Sequence, residues 1–77
     1  MKDFALYLLS YLAENKDAIE VIEETTDDGV VTLTIRVDKT DMGRVIGKDG
    51  KIISSIRNLL KVRALKEKNL VNVVLAE

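Results

Sequence analysis

Four consecutive residues, Gly47-Lys48-Asp49-Gly50, place a cation between two glycines. Glycine has no Cβ, so both glycines allow another chain to approach the backbone closely and permit unusual φ/ψ angles. Lys48 adds a positive charge at the predicted loop tip, and Lys51 follows the second glycine. Backbone N–H groups at the start of a helix attract anions, and the helix dipole strengthens this attraction. The segment therefore has the chemistry of a binding site for a sugar-phosphate backbone.

Two helices are predicted to position this loop. Asp38 or Thr40 can cap a short helix over residues 41–46, which ends at the first glycine of the loop. The second glycine opens a longer helix that runs to about Lys66. Residues at helical spacing predict the apolar face of this longer helix: Ile52, Ile53, Ile56, Leu59, Leu60 and Ala64.

Three strands are predicted around these helices. Residues 30–37 alternate apolar and polar side chains, which indicates one buried and one solvent-facing side. Residues 19–25 precede them, and Asp28-Gly29 between the two runs suits a hairpin because glycine accepts positive φ. Residues 70–75 alternate again and predict a final strand.

An additional helix is predicted at the start, from Asp3 to about Glu14, and its buried stripe comprises Phe4, Leu8, Leu9, Tyr11 and Leu12. The order is therefore helix, strand, strand, helix, helix, strand. The early strands should pair as an antiparallel hairpin, and the last strand should return parallel to the second, with the helices on one face. This arrangement is an α+β sandwich, which we expect to form a single domain over residues 1–77.

The residue types exclude several kinds of active site. The chain has no cysteine and no histidine, so Cys/His zinc sites and Ser-His or Cys-His nucleophiles are excluded. A phosphate-binding P-loop is excluded because Lys48 stands five residues after Gly43, where that motif needs its second glycine. Four acidic residues near the predicted hairpin have no convergent base: Glu23, Glu24, Asp27 and Asp28. We expect a protein that is not an enzyme and binds no cofactor or metal.

The beginning of the sequence has only a short apolar run, residues 4–9, after an early acidic residue. A secretory signal or a membrane span needs a longer apolar run. We therefore expect a soluble, cytoplasmic protein with no membrane association.

The formal net charge of −1 conceals an uneven distribution of charges. Residues 1–42 carry four basic and ten acidic side chains, a net charge of −6. Residues 43–77 carry eight basic and three acidic side chains, a net charge of +5. One part of the surface is therefore expected to attract phosphate and another to repel it.

Residues 45–56 read V-I-G-K-D-G-K-I-I-S-S-I and fill every fixed position of V-I-G-x-x-G-x-x-I-x-x-I, the core motif of KH domains. The predicted element order resembles the type II arrangement, α-β-β-α-α-β, in which three helices cover one face of a three-stranded mixed sheet. With the chain length and the segment G-R-V-I-G-K at residues 43–48, the sequence resembles the KhpA family. These are small stand-alone bacterial KH proteins, and the resemblance covers essentially the whole chain.

The resemblance implies binding of single-stranded RNA, with about four nucleotides clamped at the G-x-x-G loop. Gly43, Val45, Ile46 and Ile53 would form the floor of an apolar groove beside the loop, with the second strand as one wall. The RNA-binding residues implied in this way are Arg36, Gly43, Arg44, Val45, Ile46, Gly47, Lys48, Asp49, Gly50, Lys51 and Ile53. Asp49 offsets the charge of Lys48, so a single domain is expected to be a weak clamp.

The resemblance also implies partners. KhpA-like proteins are linked to RNA chaperoning and to control of cell elongation and division, and they act with a like chain or with a larger KhpB (Jag)-like protein. An alternative function uses the loop and the neighbouring helix surface for pairing with those proteins instead of for RNA. A further alternative is a DNA-binding helix-turn-helix over residues 41–60, although a glycine-bounded turn and a short first helix are unusual for that motif.

Overall fold

Within residues 1–76, which the computed structural model describes, three helices cover one face of a three-stranded sheet. The elements in chain order are α1 (Lys2–Ser10), β1 (Glu20–Thr25), β2 (Val30–Arg36), α2 (Met42–Ile46), α3 (Lys51–Lys66) and β3 (Leu70–Leu75). Short 3-10 turns occur at Lys16–Ala18, Lys39–Asp41 and Lys48–Gly50. The predicted order of helices and strands and the predicted α+β class are confirmed.

The sheet has the order β1-β2-β3, so β2 is the central strand. β1 pairs with β2 in antiparallel register, with Ile22 opposite Thr34. β2 pairs with β3 in parallel register, with Thr34 opposite Val74. The hairpin turn uses Gly29 at φ +81°, a conformation that favours glycine. Both predicted strand pairings are therefore confirmed.

The core lies between the sheet and the helices. β2 contributes Val31, Leu33 and Ile35 at alternate positions, all of them buried, as its sequence pattern predicts. The other buried apolar residues of the main core cluster are Ala5, Leu9, Val21, Val45, Ile53, Ile56, Leu60, Ala64 and Val71. The opposite side of the sheet has no helix over it in residues 1–76, and Ile22 and Val74 are exposed there.

Two apolar residues lie on the surface instead of in the core. Tyr11 was predicted in the buried stripe of α1 but is 73% exposed, and Leu59 was predicted on the apolar face of α3 but is 48% exposed. On α1 the small residue Ala5, which was not predicted in the stripe, is fully buried in the main core cluster. Helical spacing missed Ala5 on α1, whereas on α3 it identified the buried residues Ile53, Ile56, Leu60 and Ala64.

Helix α1 also ends earlier than predicted, at Ser10 rather than near Glu14. The first hydrogen bonds after Ser10 are of the 3-10 type, because the N–H groups of Tyr11 and Leu12 donate to carbonyls three residues back. No helix in residues 1–76 has the length and apolar character needed to cross a membrane.

Candidate functional site

The loop between α2 and α3 has an unusual backbone. Gly47, Asp49 and Gly50 have φ angles of 75°, 57° and 72°. Positive φ is readily accessible to glycine and is tolerated by aspartate better than by most residues. The two glycines and Asp49 are therefore suited to the backbone of this turn, apart from any role in binding.

Gly47 is the more constrained of the two loop glycines. A Cβ atom at this position would lie 2.5 Å from Cγ1 of Ile52 and 2.8 Å from its Cβ. At Gly50, no atom lies within 4 Å of the corresponding position. The first glycine therefore allows the loop to pack against α3, whereas the second leaves open space beside the backbone.

The polar groups of the loop face solvent. Lys48, Asp49 and Lys51 have exposed side chains. Among residues 1–76, the N–H of Gly50 donates to the carbonyl of Gly47 at 3.2 Å, but the N–H groups of Lys48 and Asp49 have no acceptor in the backbone hydrogen bonds of the turns and loops. Successive free N–H groups in a turn with left-handed residues form a concavity suited to an anion.

The residues before the loop divide between surface and core. Gly43 and Arg44 are exposed, and Ile46 is 36% exposed. Val45 has no exposed surface, and Ile53 in the first turns of α3 is only 6% exposed. Val45 and Ile53 therefore belong to the core beside the loop, and the exposed apolar surface next to the loop comes from Ile46.

Arg44 is already engaged by an acidic residue. Its Nη1 lies 2.6 Å from Oε1 of Glu14, which belongs to the segment after α1. The two side chains are 50% and 70% exposed, so the pair is solvated. An exposed ion pair of this kind contributes at most about 1 kcal/mol. A phosphate group that approached Arg44 would have to displace the carboxylate of Glu14.

Asp41 connects the segment after α1 to the start of α2 through hydrogen bonds. Its side chain is 1% exposed, and its carboxylate accepts hydrogen bonds from the N–H of Asn15 at 3.0 Å and of Glu14 at 3.1 Å. These two bonds lower the pKa of Asp41, and the nearby Arg44 guanidinium adds to the effect. Asp41 therefore holds Glu14 close to Arg44, beside the helix that leads into the loop.

The lowered pKa of Asp41 predicts acid sensitivity. The unfolded chain binds a proton at this carboxyl more readily than the folded chain does, so the contribution of Asp41 to stability is present above about pH 3.8 and is lost as the pH falls below it. We expect Asp41→Asn to lower Tm at neutral pH and to flatten the dependence of Tm on pH in the acid range. Asp17→Asn, at an exposed carboxylate, is the matched control. An Asp41→Asn variant with the Tm and the pH profile of the control would contradict this role.

One side of α3 carries an exposed row of residues that starts next to the loop. Lys51, Ser54, Asn58, Lys61 and Leu65 follow at spacings of three and four, so they line one side of the helix and are here called the α3 stripe. On the other side of the helix, the Arg63 guanidinium lies 5.5 Å from the centre of the Phe4 ring of α1. The α3 stripe is therefore on the side of α3 away from α1.

The α3 stripe ends at a cleft between α3 and β3. The cleft has a volume of about 320 Å³ and is lined by Lys61, Leu65, Asn69, Leu70, Val71 and Asn72. The strand that borders an open surface beside α3 is therefore β3. β2 is paired on both sides, and its helix-facing side chains are buried. The groove wall expected from β2 concerns the surface beside the loop, at the other end of α3, and stays a prediction.

The family model for the KhpA/KhpB KH domain matches residues 2–75 of the chain. The chain belongs to this family. Its type II KH order of elements, predicted from the sequence, is confirmed by the structure.

Curated members of the KhpA/KhpB family align over most of their length. The chain is 46% identical over 57 residues to the RNA-binding protein KhpA of Caldanaerobacter subterraneus, which is 74% of this chain and 75% of the relative. It is 38% identical over 69 residues to the KhpA protein of Listeria monocytogenes, 90% of this chain and 87% of the relative. Identity to the KhpA protein of Clostridium acetobutylicum is 36% over 67 residues, 87% of this chain and 88% of the relative.

Of the site residues predicted in this KH domain, all but one lie in or around the loop. The exception is Arg36 at the end of β2. Its neighbours Val31, Leu33 and Ile35 alternate toward the helices, so Arg36 lies on the opposite side of the sheet, where it is exposed and pairs in register with Glu20. The structure therefore does not bring the Arg36 side chain to the helix side of the sheet, where the loop lies.

Two features of the site have no counterpart in the prediction. The pairing of Glu14 with Arg44 joins residues 30 positions apart, and no motif connects them. The cleft depends on how the end of α3 packs over β3. The sequence does show that Lys61 and Leu65 follow Lys51 at helical spacing, which places them on the same side of α3.

Proposed function

We propose that this chain binds single-stranded RNA through the loop of residues 47–50 and the α3 stripe, and that it acts as an RNA chaperone or regulator in the cytoplasm. The observation that carries the proposal is the exposed loop with two free N–H groups at Lys48 and Asp49 in a left-handed turn. The printed names of the relatives, RNA-binding protein KhpA, support the choice of RNA as the ligand.

The loop supplies contacts to the phosphates. The free N–H groups, Lys48 and Lys51 bind the backbone of about four nucleotides, while Ile46 offers apolar surface to a base. Asp49 faces solvent beside Lys48 and reduces the attraction. Phe4 and Tyr7 lie on α1 and Tyr11 directly follows it, so no aromatic residue is placed on the loop or on α3 for stacking. The binding is therefore modest and discriminates little between sequences.

Fluorescence anisotropy with a labelled eight-nucleotide RNA tests the proposal. We expect binding that weakens with added salt, with a slope of about −3 or shallower in log K against log salt, because few phosphates are held. The same RNA in a duplex is expected to bind more weakly, because its bases are paired. Binding that salt does not affect, or equal binding of the duplex, would contradict the proposal.

The ion pair of Arg44 with Glu14 is expected to restrain RNA binding. RNA must displace the Glu14 carboxylate to use Arg44, so Glu14→Gln should raise the affinity about two- to fivefold, in line with the modest strength of an exposed pair. The matched control is Glu24→Gln, which removes an exposed carboxylate of β1 on the uncovered side of the sheet. Equal gains in both variants would show a general charge effect and would contradict a local role for Glu14.

A second function, pairing with another protein, is favoured by exposed side chains on the helix layer. Tyr7 is 57% exposed, Tyr11 73% and Leu59 48%, and the two tyrosine rings meet edge to face with centroids 5.1 Å apart. Exposed tyrosines are frequent anchors of protein interfaces. The partner is a like chain or a KhpB (Jag)-like protein. These residues lie outside the loop. Sedimentation of a loop variant that no longer binds RNA therefore tests pairing independently of RNA binding.

A further inference from the structure

The cleft at the far end of the α3 stripe has the chemistry of a base-binding site. We propose that it holds a nucleobase of the bound RNA strand, beyond the four nucleotides at the loop. This inference rests on the proposed RNA binding, and it gives the domain a second anchoring point at the opposite end of α3.

The lining of the cleft suits a base and its phosphate. Leu65 and Leu70 are 66% and 63% exposed, and together they offer apolar surface to the face of a ring. Asn72 has an exposed side-chain amide that can meet the polar edge of a base, and Lys61 supplies a cation for the adjoining phosphate. The volume of about 320 Å³ is at the lower end of the range for small-molecule sites.

The distance from the loop fits an additional nucleotide. Lys61 and Leu65 follow Lys51 by ten and fourteen residues, which corresponds to about 15 and 21 Å along the helix. A stacked strand advances about 3.4 Å per nucleotide, so the cleft lies about four to six nucleotides from the loop. The base in the cleft is therefore the one that follows the clamped tetranucleotide, or its neighbour.

Charge favours RNA over a second copy of this chain as the occupant. The one charged lining residue is Lys61, and at the same end of α3 the exposed Lys66 and Lys68 outnumber Glu67, which pairs with Arg63. Two copies that met at this cleft would bring these lysines together, whereas a polyanion neutralises them. The α3 stripe also connects the cleft to the loop without an acidic residue.

Abasic RNA tests the proposal with the number of phosphates held constant. Three six-nucleotide RNAs are compared: one complete, one with two abasic nucleotides at the 5′ end, and one with two at the 3′ end, so that the four remaining bases cannot fill both the loop and the cleft in any register. We expect one abasic end to weaken binding about fivefold or more and the other to have little effect, because the strand binds in one direction. Leu65→Ser should abolish the difference between the ends, whereas the matched control Val62→Ser, equally exposed on the same helix but outside the cleft, should retain it.

The outcomes distinguish this proposal from the one on which it rests. Equal affinity for all three RNAs would overturn the base-binding cleft and leave RNA binding at the loop intact. The base-binding cleft would also be overturned, with RNA binding at the loop intact, if Leu65→Ser retained the difference between the two abasic ends and had an unchanged Tm. Failure of the wild-type protein to bind any of the three RNAs would overturn both proposals.

Discussion

A Lys48→Asp variant is expected to bind single-stranded RNA about ten- to a hundredfold more weakly than the wild type while it retains its fold. Lys48 is exposed in the turn, and it makes no ion pair among residues 1–76. A charge-assisted hydrogen bond contributes about 1.5–3 kcal/mol, and the substitution also places a second carboxylate beside Asp49. Anisotropy titration with the eight-nucleotide RNA measures the loss, and thermal unfolding checks the fold.

The control for Lys48→Asp must change the net charge equally. Lys2→Asp does so in the first turn of α1, where Lys2 lies beside Glu23 of β1 rather than beside the loop. We expect this control to bind RNA with nearly the affinity of the wild type. If the two variants lose affinity equally, the effect is one of total charge, and the loop is not the site.

A Gly47→Ala variant is expected to lose about 2–6 kcal/mol of folding free energy. The new Cβ would lie 2.5 Å from Ile52 Cγ1, and the residue would have to adopt φ +75°. At φ 75° and ψ 175°, a backbone region nearly confined to glycine, alanine costs about 1–3 kcal/mol, and overpacking adds about 1–3 kcal/mol. For a domain of this size the corresponding fall in Tm is about 8 °C or more, which differential scanning calorimetry measures directly.

Two further glycines separate the causes of this loss. Gly50→Ala meets no atom within 4 Å but also needs positive φ, so it should cost only about 1–2 kcal/mol. Gly43→Ala lies in α2 with open space around it and should be neutral or slightly stabilising. If Gly47→Ala is no more destabilising than Gly50→Ala, the contact with Ile52 does not constrain the loop.

The fold was largely predictable because its signals are local. Strict alternation identified β2 and its buried side chains Val31, Leu33 and Ile35, and the predicted bounds of β3 are those observed. The loop was predictable for a different reason, since its two glycines readily adopt the positive φ angles that the turn requires.

The unpredicted features depend on tertiary contacts. Helix α1 ends early, and the N–H groups of Glu14 and Asn15 that follow it bind the carboxylate of Asp41, a partner 26 or more residues away. Tyr11 is exposed because the sheet lies under a different side of α1, which buries Ala5. Neither fact is contained in the periodicity of residues 3–14 alone.

The candidate site was predicted from neighbours in sequence, which do not show how deeply each side chain is buried. The motif groups Val45 with Ile46, but Val45 is fully buried and Ile46 is 36% exposed. The cleft at the far end of α3 was not predicted, because it is bordered by β3, which begins 20 residues after the loop. Side-chain direction and sheet order decide these assignments, and both require the folded chain.

An NMR titration of the isotope-labelled protein with a single-stranded RNA tests the central claim most directly. The account predicts that the largest amide shifts occur in residues 43–56, continue along the α3 stripe and reach the start of β3. The uncovered side of the sheet, around Ile22, Thr34 and Val74, is expected to remain unchanged. Shifts confined to that side of the sheet, with the loop of residues 47–50 unaffected, would contradict the proposed site.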